Sequence, residues 1–451
     1  MRRIWSEEHK RRLMRSVWLA LARAQHEAGL VTIEQLADLE NHVDHIDIDR
    51  TFALERESRH DVMAEIQTFA EQCLEGEGII HWGATSADIT DNVDVLRIRE
   101  ASQLVAQRLH DLLAAFVARI EATVDLPVMA HTHIQPAEPT TLGYRFAVYA
   151  QDLLEDYLQL VRMMPNLRGK GLKGAVGTQA SFQQILKGSG LSAQEMEAVA
   201  MKTLDLPYFS IATQTYSRQQ DLRVQQMLAG IAASLHKFAL DFRVLQSPGF
   251  GEWAEPFGKK QVGSSAMPFK RNPSGSENIC SLARYVAGLP AIAWDNASQA
   301  ILERSLDDSA NRRIFQAEGF LAVDEMINQT TKIVRGMRID VQAIKRNMFQ
   351  HGPFAATERV LMALVAAGVG RQEGHEWLRL LSLQAWEAMQ AGDENPLPIL
   401  LEGNAQIMSF LTVPQLRDLM DSSSHTGTAA VRAAAFAETV RKTLKEYRRQ
   451  E

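Results

Sequence analysis

The sequence predicts an all-α chain of three domains built around a central bundle of long helices, and three observations carry that prediction. Apolar residues recur in steps of three and four over long stretches, as one buried face of an α-helix requires. Proline and glycine are sparse inside those stretches and gather between them. Alternating apolar runs bounded by hairpin turns are scarce, which leaves little material for sheet.

Taken in order, the first ninety or so residues carry shorter helical patterns and form an expected N-terminal domain, 1–92. The central domain, 93–340, opens with a stripe through Leu104, Leu109, Leu112, Phe116 and Ile120. A second amphipathic stretch runs from 143 to 164. From 218 to 246 the stripe comprises Val224, Met227, Leu228, Ile231, Leu235, Phe238, Phe242 and Leu245, a helix of about 44 Å at 1.5 Å per residue. Further stretches near 276–294 and 312–336 complete the bundle, and 341–451 returns to shorter helices. The basic tail RKTLKEYRRQE reads as the solvated face of a final helix.

Composition sets the outer limits. With 451 residues and 46% hydrophobic content there is ample material for a large core. A net charge of −7 provides no global field for nucleic acid or an anionic membrane, so an anionic ligand must be met by local charge. Cys73 and Cys280 form no framework or zinc spacing and read as buried thiols of a reducing compartment. No apolar segment follows the charged start MRRIWSEEHKRR, and nowhere do about eighteen apolar residues run together, so a cytoplasmic, non-membrane protein is expected.

Two patterns are set aside. Gly169, Gly171 and Gly174 in GKGLKG satisfy a dinucleotide fingerprint literally, but a helical pattern precedes them where that fingerprint needs a strand. They read as a glycine-rich connection. His131 and His133 in HTH lack further ligands at metal spacing, so no metal site is expected.

The stretch GSSAMPFKRNP, 263–273, is harder to explain as a connection. Residues 248–270 hold four glycines and three prolines without a helical period, long for a structureless link in a compact domain. Asn272 suits an N-cap, Pro273 the first helical turn, and Ser274 with Glu277 a capping box. Gly263, Ser264 and Ser265 with Lys270 beside a helix N-terminus suit a carboxylate site.

This stretch resembles the G-S-S-x-M-P-x-K-x-N-P signature of the fumarase/aspartase superfamily. RHDVMAEI (59–66), HWGATSADITDN (81–92), THIQPAEPTT (132–141), TQTYSRQQD (213–221) and ERSLDDSANRR (303–313) narrow the resemblance to the adenylosuccinate lyase family, over nearly the whole chain. It implies a C–N bond cleavage without a cofactor, releasing fumarate from adenylosuccinate to leave AMP and, in an earlier purine step, from the succinylated aminoimidazole carboxamide ribotide to leave its carboxamide. By the same resemblance Ser264 is the base and His133 the acid, with His60, His81 and Lys270 assisting. Arg59, Asp61, Thr85, Ser86, Gln214, Asn272, Arg304, Ser309 and Arg313 match substrate-binding positions, and arginines and hydroxyls are apt ligands for an anionic nucleotide.

Structural roles compete for several of these. Thr85 and Ser86 suit a helix cap, Gln214 a buried carbonyl, Asp61 a surface ion pair, and His60 and His81 hydrogen-bonded helix ends. Asp307, Asp308 and Ser309 read as a cap rather than an acid/base pair. A serine alone is a very weak base, so Ser264 needs N–H groups and a cation to stabilise its alkoxide. His133, ordinarily titrating near neutrality, suits proton donation.

A predicted helix of about thirty residues, roughly 45 Å, separates Ser86 from His133, so a site using both draws on different subunits. The resemblance agrees, implying a homotetramer with each active site built from three chains. One departure stands out: the Arg-Tyr phosphate pair usual ahead of the IWSEE segment is missing, and Arg2 and Arg3 are the basic residues nearby. Competing readings are argininosuccinate lyase, a carboxymuconate cycloisomerase, or a catalytically silent structural oligomer.

Overall fold

The computed structural model describes residues 1–258 and 260–447. Four helices open the chain: α1 (Glu7–Glu27), α2 (Ile33–His42), α3 (Ile48–Ser58) and α4 (Asp61–Ala70). α2, α3 and α4 are short, at 10 or 11 residues, whereas α1 runs for 21. Ser6, Thr32, Asp47 and His60 each accept an amide of the first turn that follows.

The expected long helices all form. They are α5 (Ser86–Ala122), α6 (Leu142–Met163), α9 (Gln219–Gln246), α10 (Ser274–Ser298) and α11 (Asp307–Gly336), with the shorter α7 (Ala180–Ile185) and α8 (Ala193–Thr203) between α6 and α9. The expected boundary near 92 falls inside α5, and that near 340 at Asp340, the N-cap of α12 (Val341–Ala366). Of the basic tail, residues 441–447 belong to the last helix, Ala429–Tyr447, and the remainder lies outside the described residues.

By contact the chain falls into two compact units. The first comprises Met1–Leu109, Asp156–Ala233 and Ser281–Met326. Its core includes Leu222, Leu289, Ala293 and Phe315, from α9, α10 and α11. The second comprises His110–Glu155, Ser234–Cys280 and the chain from Ile327 onward. There Phe116 of α5, Phe146 of α6 and Phe238 and Phe242 of α9 surround buried Trp253. Ring centroids lie 5.2 Å apart for Phe146 and Trp253 and 5.3 Å for Phe116 and Phe238, within aromatic contact.

Sheet is minor, but one piece matters. β1 (Pro127–Thr132) and β2 (Gln135–Thr141) form an antiparallel hairpin whose two turn residues, His133 and Ile134, have φ of 53° and 62°. Positive φ at both positions is what a tight type I′ hairpin turn demands. Residues 132–141 read as a proline-rich turn in sequence, because Pro136 and Pro139 weaken the strand pattern and no Asn-Gly or Asp-Gly marks the corner. Both cysteines are buried free thiols, and among the described residues no helix is long and apolar enough to cross a membrane.

Candidate active site

Three helix starts meet in the first unit. His60 to Val62 begin α4, Thr85 to Ala87 begin α5, and Leu306 and Ser309 flank the start of α11; all line one cavity of about 730 Å³. Helix N-termini carry partial positive charge, so their convergence favours an anion. The lining adds eight basic side chains against five acidic ones, an excess of three positive charges. Nine of the fourteen expected site residues line it: Arg59, His60, Asp61, Thr85, Ser86, Gln214, Arg304, Ser309 and Arg313.

A buried ionic frame holds this wall. Arg218 donates to Asp308 at 2.6 Å and to both oxygens of Asp91 at 3.1 and 3.2 Å. Arg312 donates to Asp221 at 2.8 Å and to the Tyr216 hydroxyl at 2.9 Å. Burial and the neighbouring Asp221 carboxylate push the Tyr216 phenol well above its ordinary range, so it stays a neutral donor. Asp308 also accepts from Arg304 at 2.7 Å, which makes it an ion-pair hub and not the helix cap its sequence position suggests. Burial works to raise its carboxyl, but Arg218, Arg312 and Arg304 outweigh that and hold it low. Sequence reading missed Asp91, Tyr216, Arg218, Asp221 and Arg312. The signal was there, in charged residues crowded into TQTYSRQQD and DDSANRR, but no spacing rule says which of them pair.

The glycine-rich connection does build a cradle, for an internal carboxylate. Asp88 accepts from Lys170 Nζ at 2.6 Å, from the amides of Lys173 and Gly174, and from the Thr85 amide at 2.9 Å. The cradle thus fastens the start of α5, where Thr85 and Ser86 face the cavity.

His60 is a helix cap and also faces the cavity. Its Nδ1 accepts the Met63 amide at 3.2 Å as the α4 N-cap, and the side chain lines the cavity. The acceptor at Nδ1 puts the proton of the neutral ring on Nε2. His81 does not line the cavity. Its Nδ1 accepts from Trp18 Nε1 at 3.0 Å, and burial, with a smaller push from His60, lowers its pKa to about 4 despite Asp88. Asp61 lies 3.5 Å from Lys10 Nζ and 3.6 Å from Arg313. Burial would raise its carboxyl, but Lys10, Arg313, the Val62 amide and Arg11 keep it below the usual carboxylate range.

The other four expected residues, His133, Ser264, Lys270 and Asn272, belong to the second unit. His133 stands exposed at the hairpin tip, its imidazole meeting no hydrogen-bond partner among the described residues. Ser264 Oγ accepts the amides of Ala266 at 3.3 Å and Met267 at 3.1 Å, the type of stabilisation a serine base needs. Lys270 is exposed.

Asn272 does not cap α10. Its amide donates to the Gly263 carbonyl at 3.2 Å, closing the neck of the loop. The first amides of α10 go instead to Glu255, which accepts Gly275 N–H at 3.1 Å and Ser276 N–H at 2.7 Å. The anion position that sequence assigns to this helix start is therefore filled from within.

One corner of metal-ligand types lies apart. Asp38, His42 and Cys73 place their ligand atoms within 4.8 Å of one another. Each is already engaged: Asp38 accepts the Glu75 and Gly76 amides, His42 Nδ1 meets the Asp38 carbonyl at 2.8 Å, and Cys73 donates to that carbonyl. Burial pushes the Cys73 thiol up to about 12, which opposes the thiolate a metal requires. The corner ties α2 to the turn after α4.

Comparison with known proteins agrees with this picture. Residues 1–288 match the family described as Lyase, and 353–436 that described as Adenylosuccinate lyase C-terminus. The chain is 38% identical to an adenylosuccinate lyase of Saccharomyces cerevisiae, over 94% of this chain and 88% of that one. With an adenylosuccinate lyase of Archaeoglobus fulgidus the identity is 33%, over 99% and 97% of the two chains. Among solved structures, 3-carboxy-cis,cis-muconate lactonizing enzyme from Pseudomonas putida superposes with a TM-score of 0.85 at 25% identity, covering 98% of this chain and 97% of that one. A fumarate lyase from Mesorhizobium sp. BNC1 gives 0.85 at 24% identity over 97% of each, a likeness of fold alone. Sequence identity of this size along almost the entire length, matched by both family descriptions, means that the chain belongs to the adenylosuccinate lyase family.

Proposed function

We propose that this lyase eliminates fumarate from adenylosuccinate, leaving AMP, and from the succinylated aminoimidazole carboxamide ribotide, leaving its carboxamide. The observation that carries the reading is one cationic cavity lined by eight of the nine residues expected to bind substrate, with His60 beside them. Relatives named adenylosuccinate lyase, at 31–38% identity, favour it over the sister lyases and cycloisomerases.

In the proposed reaction Ser264, as alkoxide, removes the proton from the carbon beside a succinyl carboxylate. The C–N bond then breaks with its electron pair on nitrogen, the carbon–carbon double bond of fumarate forms, and protonated His133 supplies a proton to the nitrogen. The Ala266 and Met267 amides lower the cost of the alkoxide, and Lys270 supports the doubly charged carboxylate. His60 donates from Nε2 to a substrate oxygen, with His81 near it as a neutral partner.

The active site is shared in a homotetramer. Supporting this, α5 alone holds 37 residues, about 55 Å at 1.5 Å per residue, and Ser86 begins it while His133 follows its end. Val262 and Phe269 on the signature loop, 79% and 82% exposed, suit a loop that closes over ligand and neighbouring chain. The three-way division at about 92 and 340 and a cytoplasmic location complete the proposal.

The test is incubation of purified protein with adenylosuccinate, with AMP and fumarate identified chromatographically, beside Ser264→Ala and His133→Ala. Each variant should lose at least about a thousandfold in kcat while keeping helicity and assembly. A folded, assembled wild type that yields neither product, or variants as active as wild type, would refute the assignment.

A further inference from the structure

The cavity holds more basic groups than it satisfies, and their geometry singles out one. Arg218, Arg304 and Arg312 already make hydrogen bonds of 2.6 to 2.8 Å to carboxylates. Arg11 is spent on the Asp61 carbonyl and Glu55, and Arg97 on the Ile4 carbonyl. Each is thus already held by a partner in this chain.

Lys10, in the first turn of α1, differs. Its side chain is only 13% exposed, yet its ammonium meets Asp61 at 3.5 Å and Glu7 at 3.8 Å, ion-pair range without a good hydrogen bond. A charge so largely removed from water with its donors unspent gains strongly from a better acceptor. Arg313, more exposed, stands 3.6 Å from the same Asp61 oxygen, again without a close hydrogen bond. Arg59, two residues before Asp61, also lines the cavity and has no side-chain partner among the described residues. Arg2 and Arg3 are not available to this cavity, since they border a separate depression with Leu321, Asp324 and Glu325.

We propose that Lys10 binds the phosphate of the substrate, together with Arg313 beside the same Asp61 oxygen. Neither cation makes a close hydrogen bond to the Asp61 oxygen they share, and a phosphate monoester dianion offers oxygens to both at once, where a single carboxylate would best serve one. The assignment rests on the proposed nucleotide substrate and names a ligand for it that the sequence does not single out.

The experiment compares Lys10→Met and Lys10→Gln with wild type on adenylosuccinate and on the same compound lacking its 5′-phosphate. With adenylosuccinate, KM should rise about 10- to 100-fold while kcat stays within about threefold, as loss of one charge-assisted contact predicts. With the dephosphorylated compound all three proteins should share one KM, and Lys10→Arg should restore most of the affinity for the nucleotide. Inorganic phosphate should inhibit wild type competitively and the two variants much less. An equal penalty on both substrates, or a fall in kcat at constant KM, overturns the assignment; so does weakened inhibition by fumarate in place of phosphate. If wild type itself fails to convert adenylosuccinate, the function is wrong. If it converts it and the variants match it, only the role of Lys10 is.

Discussion

At the scale of single residues, His60 and His81 show one chemical group put to different uses by its surroundings. Both accept a hydrogen bond at Nδ1, from the Met63 amide and from the Trp18 indole. Protonating His81 would set an N–H against that indole N–H, besides placing charge in a buried site. Its pKa therefore drops from 6.5 to about 4, chiefly through burial. Because the unfolded chain binds that proton more readily, stability is fully present above about 6.5 and falls as pH drops toward about 4. His81→Asn, whose shorter polar side chain tolerates the left-handed backbone there (φ 68°), should remove on the order of 3 kcal/mol from the change in unfolding free energy between those limits. Denaturant melts at several pH values measure it, and a slope unchanged by the substitution would be evidence against a neutral, buried His81. Residue identity alone hid this environment, as it hid Lys10, one of five basic residues in the first twelve.

At the scale of elements, the two pieces carrying the proposed acid and base are small and irregular. The hairpin is defined by the pairing of Thr132 with Gln135 around His133, a register invisible where prolines interrupt β2. The signature loop is legible as a loop, but its closure is not. At its neck a Cβ on Gly263 would lie 2.1 Å from the Lys270 carbonyl oxygen, so the two chain segments pass closer there than any side chain allows. Gly263→Ala should therefore open the neck, break the Asn272 bond, and lower kcat/KM at least about tenfold with little change in melting temperature, since the loop is exposed. Wild-type kinetics in that variant would show that the closed neck does not matter.

For the whole molecule, the issue is which residues of one chain share a site. Sequence motifs from four separate regions converge on one cavity in the first unit, while His133 and Ser264 reside in the second. If sites combine chains, His133→Ala and Ser264→Ala, each inactive alone, should regain measurable activity when mixed, unfolded and refolded together. Sedimentation should show tetramers, and a mixture that assembles yet stays inactive would argue that each chain supplies its own acid and base.

The sequence by itself determined the helical class, the five long helices and the candidate residues, because helical periodicity and a long, specific signature are local properties of the chain. Only the tertiary structure decided that Asp308 is a hub rather than a cap, that Glu255 fills the start of α10, that Asp88 fills the glycine cradle, and that Lys10 is left without a close hydrogen bond. Each of these depends on which charged group or hydrogen-bond donor lies within about 4 Å. Partners 20 to 127 residues apart in the chain meet only once the helices have packed.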